Sequence, residues 1–165
     1  MIFPPGGTRP VYVQGSIPAS FLAAFADRGQ FIFWLETFAQ CAAIWVFPHL
    51  IEGPVIAFDD NTASEHALVR GYSSDPSTNV IVSHFWGAAS SAGASVWLER
   101  VSSKANLADA ISREDFAHAM AEGWIRFYPD FSKLWSVLLE VTRPPYDFSP
   151  ETLAHIMAAA HLPET

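Results

Sequence analysis

The sequence predicts an α/β fold, because short apolar runs of strand length alternate along it with longer segments of helical periodicity. Residues 55–58 are an uninterrupted apolar run that ends at Asp59 and Asp60, as in a strand covered on both faces. Apolar residues recur at three- and four-residue steps after Trp34 and again after Val80, which indicates amphipathic helices. A chain of 165 residues is long enough for one such domain with a sizeable core.

Composition limits the class of protein. Half of the residues are hydrophobic and 16% are charged, and the 6 Trp and 13 Phe predict a large aromatic core. A net charge of −8 argues against a free-standing, high-affinity nucleic-acid binder, because phosphate contacts need clustered Lys and Arg. The single cysteine, Cys41, excludes an internal disulfide and a cysteine-based zinc site.

Targeting signals are not apparent in the sequence. The first residues include Pro4, Pro5, Gly6 and Gly7 instead of a basic stretch followed by an apolar core, so we expect no secretory signal. Polar residues and a proline interrupt the apolar run 31–51, which is the only candidate for a membrane span. We therefore expect a soluble, intracellular protein with no membrane contact; the sequence does not distinguish cytoplasm from nucleus.

The first half of the chain predicts three strand-like segments, each followed by a helical segment. Residues 11–13 form a short strand, residues 20–25 one or two helical turns, and the apolar residues 31–33 a strand-like run. The helix after Trp34 is stopped by Pro48. The strand 55–58 is followed by a helix that begins with the capping-box pattern of residues 62–65 and ends at Gly71.

The second half continues the alternation. A polar loop at residues 72–78 leads to a helix that ends near Gly93, and residues 95–101 form the next strand. Asn106 is an N-cap for a helix that runs to about Ala121. Aromatic segments follow at 124–128 and 131–139. The last predicted helix covers residues 151–161, capped by Ser149 with Pro150 at its first position.

Three acidic residues occupy corresponding places in these elements. Glu36 lies in the first turn of its predicted helix, Asp60 follows the strand, and Asp109 lies in the first turn of the helix capped by Asn106. An α/β fold brings helix starts and strand ends to one rim of the sheet, where distant carboxylates can share divalent cations. Simpler roles remain open: a helix-dipole contact for Glu36, a capping role for Asp109, and a turn pair for Asp59 and Asp60.

The segments around these acids resemble the ribonuclease H-like domain of retroelement polymerases, which follows the reverse transcriptase in the polyprotein. The resemblance runs from about residue 31 to 113, and residues 106–113, Asn-Leu-Ala-Asp-Ala-Ile-Ser-Arg, are its most specific part. It implies a ribonuclease H-like mixed sheet flanked by helices within residues 1–122, followed by an aromatic and helical extension over 123–165.

The same resemblance implies a function. Family enzymes hold two Mg²⁺ or Mn²⁺ ions with four acids and hydrolyse the RNA strand of an RNA/DNA hybrid. Glu36, Asp60 and Asp109 match three of those catalytic and metal-binding positions, with Asp60 preferred over Asp59 because Asn follows it directly. The hybrid and the reverse transcriptase domain of the same polyprotein are the implied partners. Four basic residues near the matched segments are candidate phosphate contacts or simply surface charges: Arg70, Arg100, Lys104 and Arg113.

The fourth family acid has no counterpart here. In the family it lies on the first strand, whereas the first acid of this chain is Asp27, and residues 11–13 look like the second strand of the opening hairpin. The expectations are an N-terminally incomplete domain, a degenerated domain, or a substitute acid. Two non-nuclease alternatives stay open: a non-catalytic remnant that connects domains or contacts nucleic acid, and an unrelated α/β interaction protein.

Overall fold

The computed structural model describes residues 1–25, 29, 31–51, 53–142 and 149–160. The strands are β1 (Val11–Val13), β2 (Gly53–Asp59), β3 (Ala94–Arg100) and β4 (Ile125–Phe127). The helices are α1 (Ala19–Ala24), α2 (Phe31–Val46), α3 (Thr62–Arg70), α4 (Pro76–Ser91), α5 (Leu107–Ser112), α6 (Ala117–Ala121), α7 (Phe131–Val141) and α8 (Pro150–Ala160). Short 3₁₀ turns cover Pro48–Leu50 and Ser103–Ala105. The expected α/β class is confirmed.

The described strands form two separate parallel pairs. β2 pairs with β3, and their last residues, Asp59 and Arg100, are opposite each other. β1 pairs with β4, with Val11 opposite Ile125. One mixed sheet is therefore not found in the part of the chain that the structure describes. The strand at residues 11–13 exists as expected, but it pairs with β4 because Tyr12 packs against Trp124 and Phe116.

The core lies among the long helices. α2 packs against α4 and α3, and α8 packs against α2, α4 and α7. Trp34 and Trp45 of α2 are completely buried, and Leu134 and Leu138 of α7 belong to the same core. The segment after residue 123 thus shares its core with the helices that precede it. None of the described helices has both the length and the apolar character required to cross a bilayer.

Two helices begin earlier than the sequence indicates. The apolar run at residues 31–33 is the first turn of α2 and not a strand; the Phe31 and Trp34 rings stack there. Glu36 consequently lies in the second turn, so the helix-dipole explanation for it loses its basis. α4 begins at Pro76, inside the predicted loop, because the Asp75 side chain accepts a hydrogen bond from the Thr78 N–H at 2.8 Å.

The helix predicted from Asn106 to about Ala121 is broken in two. Glu114 adopts a left-handed backbone conformation with φ of 63°, which ends α5. The Asp115 carboxylate then accepts a hydrogen bond from the Ala117 N–H at 3.1 Å and starts α6. The expected helix at the C-terminus is confirmed as Pro150–Ala160, with the Ser149 hydroxyl accepting from Thr152 N–H at 3.1 Å; His161 lies outside the described residues.

Candidate functional site

Glu36 faces the carboxyl end of β2. One turn later on the same helix, the Gln40 side-chain amide donates a hydrogen bond to the Phe58 carbonyl at 2.7 Å. Residues four apart share one face of a helix, so Glu36 lies beside the residues that follow Phe58. Its side chain is half-buried.

Asp59 and Asp60 have different surroundings. Asp59 is the last residue of β2 and is 3% exposed, and its Oδ1 accepts a hydrogen bond from the Asn61 N–H at 2.9 Å. Its carbonyl accepts from the Val101 N–H at 3.0 Å, which holds the ends of β2 and β3 together. Asp60 comes directly after the strand and is half-buried. Asp59 therefore anchors the strand end, while Asp60 is the more accessible carboxylate.

Asp109 lies in the first turn of α5, as the sequence predicts. Asn106 caps this helix by accepting a hydrogen bond from the Ala108 N–H at 3.0 Å. The Asp109 carboxylate forms an ion pair with Arg113, one turn later, at 3.1 Å. A capping role for the Asp109 side chain does not account for this arrangement, because the cap is made by Asn106 and the carboxylate pairs with a cation.

The acids of the candidate site affect one another electrostatically. Burial is the largest cause that raises the pKa of Glu36, and the nearby carboxylates of Asp60, Asp59 and Asp109 raise it further. The polar side chain of Asn61 opposes these effects and lowers the pKa. The pKa of Asp59 is also raised, mainly by burial, against the hydrogen bond from the Asn61 N–H. Asp60 and Asp109, far apart in sequence, thus both lie within electrostatic range of Glu36.

The donor set suits a hard divalent cation, which takes carboxylate oxygens as ligands. Glu36 Oε2 is buried and has no hydrogen-bond partner among the described residues, so one carboxylate oxygen is left over beside the other acids. No set of three or more His, Cys, Asp or Glu side chains in the described ranges has the arrangement of a single metal site. Two observations are therefore consistent with cation binding: the unpartnered Oε2 of Glu36 and the negative charge of the neighbouring acids.

Three of the four candidate phosphate contacts lie close to this rim. Arg100, opposite Asp59, hydrogen-bonds the Thr62 hydroxyl at the start of α3. Lys104 is exposed in the 3₁₀ turn before α5, and Arg113 is exposed beside Asp109. Arg70 lies in the last turn of α3, about 13 Å from the start of that nine-residue helix.

Two polar residues of the site were missed from the sequence. Asn61, not Thr62, caps α3, with its Oδ1 accepting from Ala63 N–H at 2.8 Å and Ser64 N–H at 3.2 Å. An Asn directly before a capping-box pattern is itself a signal for an N-cap. Gln40 shares a helix face with Glu36, and the four-residue spacing was the available signal for its role.

The arrangement places negative charge around the half-buried carboxylate of Glu36 and basic side chains beside it. Comparison of the chain with protein-family models, curated proteins and solved structures finds no match.

Proposed function

We propose that this chain is a ribonuclease H-like nucleic-acid hydrolase domain of a retroelement polyprotein, which cleaves the RNA strand of an RNA/DNA hybrid with two divalent cations. The observation that carries the proposal is the proximity of the Asp60 and Asp109 carboxylates to Glu36. The resemblance of the surrounding motifs to the ribonuclease H-like family supports the proposal, and the order of the acids along the chain agrees with that family.

Glu36, Asp60 and Asp109 would hold the Mg²⁺ or Mn²⁺ ions. The charges of Asp60 and Asp109 raise the pKa of Glu36, and a divalent cation is a counter-charge that would relieve such repulsion. When bound, the ions supply Lewis-acid stabilisation of the attacking and departing oxygens of phosphodiester hydrolysis. The protein's own contribution is to keep the acids in place: Glu36 from α2, Asp60 from the end of β2, and Asp109 from α5.

Basic residues beside the acids would contact the phosphates of the hybrid. Arg100, Lys104 and Arg113 lie at the rim, and Arg70 at the far end of α3 would contact a phosphate farther along the strand. With a net charge of −8, these contacts are too few for tight binding by this chain alone. The reverse transcriptase domain of the same polyprotein would supply the remaining affinity.

Three acids are fewer than the four of the family. Asp59 is the remaining carboxylate near Glu36, but it is only 3% exposed and its Oδ1 accepts a hydrogen bond from the Asn61 N–H. We therefore assign catalysis to Glu36, Asp60 and Asp109 and expect low turnover with these three alone. The alternative is a non-catalytic ribonuclease H-fold module that connects domains or contacts nucleic acid, for which metal binding is not required.

The test is Mn²⁺-dependent cleavage of a labelled RNA/DNA hybrid, with Mn²⁺ binding measured separately by calorimetry. Asp60→Asn should abolish cleavage, a loss beyond the about 10- to 100-fold typical of changes to outer-shell partners. Asp115→Asn is the matched control, because Asp115 is exposed and an Asn can replace it as acceptor for Ala117 N–H.

Each outcome points to one interpretation. Turnover retained by Asp60→Asn would exclude the assigned role of Asp60. Absence of Mn²⁺ binding by the unmodified chain would overturn the metal-dependent function and favour the non-catalytic module.

A further inference from the structure

The β2–β3 pair has two outer edges, and its backbone hydrogen bonds show which residues face them. The Gly53 N–H donates to the Gly93 carbonyl at 3.2 Å, and the Val101 N–H donates to the Asp59 carbonyl at 3.0 Å. The backbone groups of successive strand residues point to opposite sides. The odd-numbered residues of both strands therefore face the neighbouring strand, and the even-numbered residues face the outer edges.

The outer edge of β2 is obstructed. Pro54, one of its outward-facing residues, has no N–H to donate. The Phe58 carbonyl also faces outward, and it accepts a hydrogen bond from the Gln40 side-chain amide of α2 at 2.7 Å. A strand added at this edge would lack one donor and would have to displace the Gln40 side chain. The β2 edge is therefore a poor template for a further strand.

The outer edge of β3 is open. No described strand other than β2 pairs with β3. The outward-facing N–H and C=O groups of Ala94, Val96 and Leu98 have no hydrogen-bond partner in the described part of the chain. At the end of this edge, the Arg100 N–H donates to the Glu99 carboxylate at 3.2 Å. β3 thus offers a row of unpaired donors and acceptors, which is the template that an added strand requires.

The face of the pair beside this edge is exposed and apolar. Ile56 and Trp97 are opposite each other in the register and are 62% and 66% exposed, and Phe58 is 56% exposed. Glu99 lies opposite Phe58 on the same face, and its Oε2 accepts a hydrogen bond from the Trp97 indole N–H at 3.2 Å. Parallel strands normally have both faces covered. A strand added to β3 would lie directly beside Trp97 and cover part of its ring.

We infer that a second copy of the chain adds its own β3 to this edge, antiparallel, about a two-fold axis at Trp97. In this register Val96 of each copy hydrogen-bonds Leu98 of the other, so the outward-facing groups of both residues are paired. The two Trp97 side chains meet at the axis, where cross-strand aromatic contact is favourable. Glu99 lies opposite Ser95 of the other copy, so the two carboxylates do not face each other. The strand is therefore complementary to itself, as a two-fold interface requires.

The contact is small and is opposed by charge, so we expect a weak, reversible dimer. Two seven-residue strands bury less than the about 1,200–2,000 Å² of standard interfaces. The net charge of −8 on each chain repels the second copy. Added salt screens this repulsion and should strengthen the association.

Sedimentation equilibrium of the full chain measures the association. We expect a monomer–dimer equilibrium whose dissociation constant rises about tenfold or more in Trp97→Glu, because two carboxylates then lie opposite each other at the axis. Tyr72→Glu is the matched control, since Tyr72 is an aromatic residue of 62% exposure outside the strands and the substitution adds the same charge. A chain that stays monomeric up to about 1 mM, or an equal loss in the two variants, would overturn the inference.

Disulfide cross-linking tests the register of the two strands. Residues 95 and 99 of different copies would form a non-hydrogen-bonded pair with a Cα separation of about 4.5 Å, which a disulfide can bridge. A mixture of Ser95→Cys and Glu99→Cys chains should therefore cross-link on mild oxidation faster than either variant by itself. Cys41 is buried and should not contribute. Equal rates in the mixture and in the separate variants would overturn the inference.

Discussion

The two helices that carry acids of the candidate site, α2 and α5, are anchored very differently. α2 has 16 residues, and many of them are buried, with Trp34, Cys41 and Trp45 fully so. α5 has six residues, of which Ile111 is buried. Glu36 is therefore carried by an element of the main core, whereas Asp109 is carried by a short helix on a smaller cluster.

This difference indicates how the site depends on the rest of the molecule. Ile111 packs with Tyr12 of β1 and with Ala119 of α6 in a cluster separate from the main core. The position of Asp109 therefore depends on the β1–β4 pair, and that of Glu36 on the packing of α2 against α4. Local unfolding occurs first in elements with few buried contacts. We therefore expect the site to lose its structure first at α5.

The largest expected effect concerns the anchoring of α2. Trp34 is completely buried among the rings of Phe21, Phe31 and Phe38, so Trp34→Ala should lower the free energy of unfolding by about 3–5 kcal/mol. Ile32, on the same helix, is 69% exposed, and Ile32→Ala should change the free energy of unfolding by less than about 0.5 kcal/mol. Denaturant unfolding measures both. Similar losses in the two variants would contradict the firm packing of α2.

A smaller, pH-dependent effect concerns Glu36 itself. Its pKa is raised above 4.5, mainly by burial, so the folded state binds this proton more tightly than the unfolded state. Its contribution to stability is complete below pH 4.5 and is lost as pH rises through the raised pKa. Glu36→Gln cannot ionise, so it avoids this loss.

Unfolding of the metal-free chain across this pH range provides the measurement. The free energy of unfolding of Glu36→Gln, relative to the unmodified chain, should increase with pH above 4.5. Asp59, whose pKa is also raised, is present in both proteins, so the difference reports Glu36 together with its repulsion from the nearby carboxylates. A difference that does not depend on pH would show that the folded protein does not disfavour the ionised form of Glu36.

The smallest effect is expected on α5. Arg113 is 76% exposed and Asp109 is 32% exposed in their ion pair, so solvent and salt screen the attraction. Arg113→Ala should lower the free energy of unfolding by less than about 1 kcal/mol, and less still at high salt. A loss as large as that of Trp34→Ala, measured by the same unfolding experiment, would mean that α5 is anchored through this pair.

Local signals in the sequence mark where several of the elements begin and end. Pro48 ends α2, Gly71 ends α3, Asn106 caps α5 and Ser149 caps α8, because each of these residues acts on the backbone beside it. The strand that ends at the paired acids was predicted for the same reason, since a short apolar run followed by Asp is a local pattern.

Features that depend on distant partners were not predicted. The run 31–33 has the composition of a strand, and it is helical because its aromatic side chains pack beside Trp34. The pairing of β1 with β4 depends on residues more than a hundred positions apart. The proximity of Asp109 to Glu36 joins two elements whose relative placement no local pattern gives.

The sequence by itself determined the α/β class, the positions of β1, β2 and β3 and the identity of the three acids, since these depend on periodicity, caps and residue type. Only the tertiary structure decided that Asp60 and Asp109 lie near Glu36, that Asp59 is buried, and that the strands form two separate pairs. The physical reason is that hydrogen bonding within helices and turns is local. The packing of side chains between distant segments is what places carboxylates next to one another.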